Sequence, residues 1–421
     1  MNLRTIVLSL FLFIGFAAHA QEKTETATPK TEVAIPKADA PAPKPAEEKK
    51  WYEKINFRGY MQVRQNNLIM SNEKLGCEQC DRTWGGNGGV SVKRARTVFY
   101  GQVYKNVYFK LETDFATAIS PTQTNQNFAQ VRDAYFDIGL TEGNEFWVRL
   151  GQSKVPYGFE ILQSSQNRLT LDRSDAINSA FLTERDLGAI FYWAPKEIRK
   201  MYSEFTSQNY KGSGDYGVIG FGIVNGQTAN KAEMNKKQHV IVRASYPFKI
   251  GSQIIEPGIQ GYTGKYVMYD SQLSAGVTNT SADKNYTDRR AAASFILYPR
   301  PFGIQAEYNI GEGPEFDKAS QSIKVKKLQG GYATLSYRAQ YKDMFFFPFA
   351  RYQYYTGGKK FELDARSYTV HQVDFGVEWQ LNKNFEFTAE YVFADRRYED
   401  FVLQTNHQTG NGLRVQAQVN F

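Results

Sequence analysis

The sequence predicts an all-β chain, a transmembrane antiparallel β-barrel of about sixteen strands. Three observations predict it. From residue 52 onward the dominant period is two, which gives each segment one apolar and one polar face. Long and short connections alternate between those segments. The chain opens with a secretion leader and carries 15% aromatic residues, with 27 Tyr and 30 Phe, yet its mean hydropathy is −0.51. A helical membrane protein is excluded, because no apolar run after residue 20 approaches the ~20 residues a spanning helix needs.

Residues 1–20 read as a signal peptide. Arg4 supplies the positive start, Ile6–Phe16 the apolar centre and Ala18-His19-Ala20 a small-x-small cleavage site. Residues 21–50 are rich in Pro, Ala, Lys and Glu and lack an apolar period, so they cannot bury enough surface to offset ordering. They read as a disordered periplasmic tether, either a plain spacer or a contact to the cell wall.

Residues 51–421 form the barrel. The clearest alternation is at the end, where Leu413, Val415, Ala417, Val419 and Phe421 are separated by Arg414, Gln416, Gln418 and Asn420. Sixteen segments are expected near 55–69, 89–104, 106–118, 128–141, 144–154, 186–194, 215–225, 237–247, 252–267, 287–298, 301–312, 325–341, 344–357, 366–381, 384–396 and 410–421. Alternation is weak near 257–264 and 345–352. The long links fall at 70–88, 119–127, 155–185, 226–236, 268–286, 313–324, 358–365 and 397–409; 195–214 is long where a short turn is due. A soluble sandwich also alternates, but it has no need to sort its loops by end. Trp51, Trp193 and Trp379 fall near the short-turn ends, where an aromatic girdle belongs. Trp147 is at the same level with inward parity.

Several ordered motifs carry a resemblance. VKRARTVFYGQVYKNVYFKLETDF (92–115), VRDAYFDIG (131–139), VRLGQSKVPYGFEILQSS (148–165), LDRSDAINSAFLTERDLGAIFY (171–192) and the terminal RVQAQVNF look like the phosphate-selective porin O and P family. The close resemblance covers roughly 90–225. It implies a Gram-negative outer-membrane porin, a homotrimer of sixteen-stranded barrels, with the loop after the fifth strand folded inward as a constriction. Here that loop is 155–185. The residues support this on their own. The loop is far longer than an ordinary connection, and Leu162, Leu169, Leu171, Ile177, Phe181 and Leu182 need a wall to pack on. The other reading is a lateral loop between protomers.

Parity assigns the lumen. Inward cations are Arg58, Arg64, Arg94, Arg96, Lys110, Arg149, Arg243, Arg290, Arg338 and Arg414, and inward acids include Glu112, Asp114, Asp133, Asp137 and Glu307. Arg58, Arg64, Arg94, Arg96 and Arg414 gather into one basic wall, and the loop adds Lys154, Arg168, Arg173 and Arg185. Asp374, Glu378, Glu386 and Glu390 form an acidic strip. The Arg fork suits phosphate, so Arg58, Arg94 and Arg96 are the leading selectivity candidates. Equally, inward Arg and Glu can simply pair across strands.

Cys77 and Cys80 suit a disulfide outside the cytosol rather than free thiols, and no further Cys or His nearby completes a metal site. Catalytic spacing is lacking around His239, His371 and His407. No cofactor, metal or catalytic residue is expected. A net charge of +8 with cations spread along the chain does not suggest nucleic acid. The expected activity is passive diffusion of small hydrophilic solutes, anionic or neutral, through a barrel embedded in outer-membrane lipid. The alternatives are a binding or adhesion barrel and a barrel hydrolase.

Overall fold

The computed structural model describes residues 50–80, 84–85, 88–116 and 129–421. The expected leader and all but the last residue of the expected tether lie outside them.

The strands are β1 (Ile55–Met70), β2 (Gly89–Tyr104), β3 (Val107–Asp114), β4 (Gln130–Gly139), β5 (Phe146–Lys154) and β6 (Arg185–Trp193). Next come β7 (Ile219–Val224), β8 (His239–Ser245, continued by Phe248–Ile250), β9 (Gln253–Val267), β10 (Asn285–Leu297) and β11 (Phe302–Asp317). The last are β12 (Ser322–Tyr337, continued by Ala339–Tyr341), β13 (Met344–Gly358), β14 (Ser367–Asn382), β15 (Phe385–Glu399) and β16 (His407–Asn420). Each pairs antiparallel with the next. β16 returns to β1, with Tyr60 opposite Asn420 and Arg64 opposite Gln416, so the sixteen strands close a barrel. Closure leaves no sheet edge, which is the condition for crossing lipid with strands. Among the described residues no helix is long and apolar enough to cross a membrane.

The seam depends on one glycine. Gly59 and Phe421 exchange two backbone hydrogen bonds, of 2.8 and 3.0 Å. A Cβ on Gly59 would come within 2.5 Å of both the Arg96 carbonyl and the Phe421 ring. Only a residue without a side chain lets the terminal aromatic lie across the first strand.

Outward residues follow the period of two. Phe57, Phe99, Phe136, Phe146, Phe302, Tyr337, Trp379 and Phe421 are exposed on the outer surface near the short-turn rim. In water such a belt would be costly, at ~25 cal/mol per Å² of apolar surface. In a bilayer it is the interfacial girdle.

Two departures from the sequence reading have physical causes. The connection expected at 313–324 is only four residues, 318–321, because β11 and β12 stay paired up to Asp317 and Ser322. Their upper halves stand above the apolar band, so Lys324, Lys326 and Lys327 replace the apolar alternation that marks the lower halves. The strand expected at 215–225 begins only at Ile219. The chain before it, 194–218, is an insert carrying a twelve-residue helix, Lys196–Ser207.

Candidate functional site

Loop 155–184 lies inside the barrel and is tied to many parts of its wall. The Phe159 and Glu160 amides donate to the Glu307 carboxylate on β11, both at 2.7 Å. The Leu171 amide donates to Glu390 on β15 at 2.9 Å, and Arg290 on β10 donates to Ser179 Oγ at 2.7 Å. Arg351 on β13 donates to Thr170 Oγ1 and to the Asp172 carbonyl, at 2.9 and 2.8 Å. The loop therefore spends its polar groups on inward wall residues, and its Ile161, Leu162, Ile177 and Phe181 side chains are fully buried.

Asp175 is the busiest of these anchors. It accepts from Arg396 on β15 at 2.7 Å and from Lys359 in the loop after β13 at 2.5 Å. Cys77 and Cys80 are joined as a disulfide, and their sulfurs lie 3.8 and 3.7 Å from the Asp175 Oδ1 atom. Three loops thus meet at one carboxylate. Burial alone would raise its pKa, but Arg396 and Lys359 outweigh burial and hold it well below the usual carboxylate range.

Most inward charges are paired. Arg64 and Arg414 both reach Asp172, and Arg414 also contacts Glu390 at 3.2 Å. Arg96 lies between Asp114 (2.7 Å) and Glu112 (3.1 Å). Arg149 makes a bidentate pair with Asp137, at 2.8 and 2.9 Å. Arg173 meets Glu184 at 2.5 Å, and Arg185 meets Asp133 and Glu184 at 2.6 and 2.7 Å. The acidic strip is paired too: Asp374 with Arg351 at 2.7 Å, Glu378 with Lys211 and Glu390 with Arg414. Glu386 accepts only from Asn420, at 3.2 Å. The partners Glu160, Asp172, Glu184, Lys211, Arg351 and Arg396 were not legible in sequence as site residues. Parity assigns strand faces, and most of these sit in irregular chain or on strands where only the acids drew notice.

Among the described residues four of the candidate cations have no carboxylate partner. Arg94 donates to the neutral Gln62 carbonyl at 2.8 Å. Arg58 lies over the Tyr100 ring, 5.2 Å from its centroid. Lys154 donates to the Leu162 carbonyl at 2.7 Å. Arg168 donates once, to the Leu171 carbonyl at 3.2 Å, while its Nε and Nη1 are buried without a protein partner. Burial, then repulsion from Arg173 and Arg94, holds the Arg168 guanidinium well below its ordinary pKa.

Two parts of the interior differ in character. The interior beside β6–β12 is an apolar core of Phe159, Phe181, Tyr192, Phe205, Tyr262 and Tyr298. Beside β1–β5 lies a cavity of about 340 Å³ whose lining includes Arg58, Lys110, Tyr135, Arg149, Lys154 and Arg185. The sequence held a signal for the filled side. Segments such as AIFYW (189–193) and HVIV (239–242) are apolar at successive positions, as in a strand with lipid on its outer face and an apolar core on its inner one. Gly220 points inward there, where a Cβ would come within 3.0 Å of the Tyr192 ring.

A closed sixteen-stranded barrel with an apolar exterior, an aromatic girdle and a charged lumen defines the porin class of outer-membrane channel. The family model of the phosphate-selective porins O and P matches residues 76–421, and the chain belongs to that family. The match extends well beyond the 90–225 stretch that carries the motifs. No curated protein matches the chain. Solved structures share its fold at low identity. The outer-membrane channel DcaP of Acinetobacter baumannii is 14% identical with a TM-score of 0.52, over 87% of this chain and 97% of that one. The anion-selective porin from Comamonas acidovorans is 10% identical with a TM-score of 0.51, over 87% and 99%. The trimer form of OmpT from Vibrio cholerae is 9% identical with a TM-score of 0.50, over 87% and 99%. The chain is therefore a Gram-negative outer-membrane porin, a channel for passive diffusion.

Proposed function

We propose that this porin passes small hydrophilic solutes with a preference for anions, phosphate among them. The supporting observation is the charge balance left after pairing. The acids that face the lumen are largely neutralised by Arg or Lys, whereas Arg58, Arg94, Lys154 and Arg168 meet no carboxylate among the described residues. Unpaired guanidinium groups in a narrow, low-dielectric passage concentrate anions and repel cations. Loop 155–184 acts as the constriction, since its buried apolar side chains and wall anchors keep it in the passage. The active unit is a homotrimer, as the Vibrio cholerae protein is in its trimer form. Bilayer recordings under a salt gradient test the preference, and cross-linking in detergent tests the assembly. Cation-leaning reversal potentials would contradict the first part, and a lone-chain band at all cross-linker doses the second.

A further inference from the structure

Two features of the sequence fit no part of the barrel pattern: the long connection after β6, at the rim of short turns, and Trp147 with its inward parity. The structure joins them. Trp147 on β5 is buried inside the barrel, and Arg199 of the inserted helix lies over its indole, 4.3 Å from the centroid. Arg199 also pairs with Asp215 at 2.7 Å, which fastens the far end of the insert to the same place. The helix turns Ile198, Tyr202 and Phe205 inward, at spacings of four and three residues. The Phe205 ring packs on Tyr298, with centroids 4.1 Å apart.

Beyond the helix the chain crosses the interior. Asn209 donates to Gln380 and Lys211 pairs with Glu378, both on β14. β5 and β14 are nine strands apart in a ring of sixteen, so the insert is fastened at nearly opposite walls. It also holds the constriction loop, because Gln163 donates to the Lys211 carbonyl at 2.7 Å. The cavity beside β1–β5 has Thr206, Ser213, Asp215 and Tyr216 of the insert as part of its lining.

We propose that 194–218 is a second constriction, on the periplasmic side and in series with loop 155–184. It rests on the porin reading. The insert divides the periplasmic mouth and confines solutes to the β1–β5 half. The two of its cations that reach the interior are paired, Arg199 with Asp215 and Lys211 with Glu378, while Lys196 and Lys200 are exposed. It therefore limits size and contributes little to ion preference.

The test is single-channel conductance and liposome swelling with neutral sugars of graded size. Trp193 and Ile219 are directly paired, so a two-residue Asn-Gly turn can replace the insert. The expected result is conductance raised about twofold or more, since current follows the open cross-section. Larger sugars should enter, and with Glu378→Gln added to offset the loss of Lys211 the reversal potential should stay where it was. Unchanged conductance and size limit in a folded variant would overturn the proposal. A variant that keeps the insert covers the case where the replacement fails to fold. Ser213→Cys, labelled with a bulky maleimide from the periplasmic side, should lose at least about half its current. Labelling without loss of current would overturn the proposal. A silent unaltered channel would instead remove the porin reading, and this inference with it.

Discussion

Arg199 lies over the ring of Trp147, 4.3 Å from its centroid, although Trp147 is on strand β5 and Arg199 on the helix of the insert that follows β6. This contact turns an aromatic that would normally serve the membrane girdle into a fastening inside the lumen. Around it lies the apolar core that fills one half of the barrel.

Trp147→Ala should loosen that core. Truncating a buried aromatic costs about 3–5 kcal/mol, and a desolvated cation–π contact adds up to about 2 kcal/mol. The expected outcome is a lower thermal transition, read from the heat-dependent shift of the folded barrel on a gel. An unchanged transition would show that the contact is incidental.

Neighbouring arginines on β2 should behave differently. Arg94 has only a neutral partner, so Arg94→Gln should weaken anion preference in reversal-potential measurements and leave stability nearly unchanged. Arg96 is held by Glu112 and Asp114, so Arg96→Gln should strand the Asp114 carboxylate, while Glu112 keeps Lys110 and Arg185. Breaking such a pair costs about 3–5 kcal/mol. If both variants changed selectivity equally and neither lost stability, the division into paired and free cations would be wrong.

Asp175→Asn removes the carboxylate that Arg396 and Lys359 share. Arg396 then lacks its counter-charge and Lys359 keeps only Glu362, at 3.7 Å, for a cost of about 3–5 kcal/mol. Loop 155–184 should become mobile, which hydrogen exchange over 170–184 would detect as lost protection. Retained protection would mean that Glu307, Arg351 and Arg290 suffice to hold it.

The Asp175 and Glu184 anchors should also resist mild acid. Burial would raise the carboxyl pKa of Glu184, but Arg173, Arg132 and Arg185 outweigh it and hold it well below the ordinary range, as Arg396 and Lys359 do for Asp175. A carboxylate with a depressed folded pKa contributes stability that is complete above its unfolded value of about 4. That contribution is lost only as pH falls through the lower, folded value. Protection of the 170–184 amides, corrected for intrinsic exchange, should be equal at about pH 7 and pH 5. A drop near pH 5 would contradict the pairing.

The barrel was legible in sequence because lipid and water impose opposite demands on alternate residues. Val415, Ala417 and Val419 face one solvent and Arg414, Gln416 and Gln418 the other, so period and register could be read directly. Alternation failed where one face meets lipid and the other the apolar core, as at 239–242, and where both faces stand in water, as on upper β12. The site was less legible. Parity found Arg64 and Arg414, but their partner Asp172 and the anchor Asp175 lie in an irregular loop, where side-chain direction has no period. Which inward cations remain free depends on three-dimensional pairing. That is why Arg94 and Arg96, two residues apart, looked alike in the sequence and differ in the structure.

The central claim is a conducting channel whose free cations set an anion preference. The most direct test is single-channel current across a planar bilayer under a salt gradient, with phosphate titrated in. The account predicts stable steps, a reversal potential on the anion side, and block by phosphate that weakens in Arg94→Gln and Arg168→Gln. Conductance with a cation-side potential, or block that neither substitution alters, would contradict it.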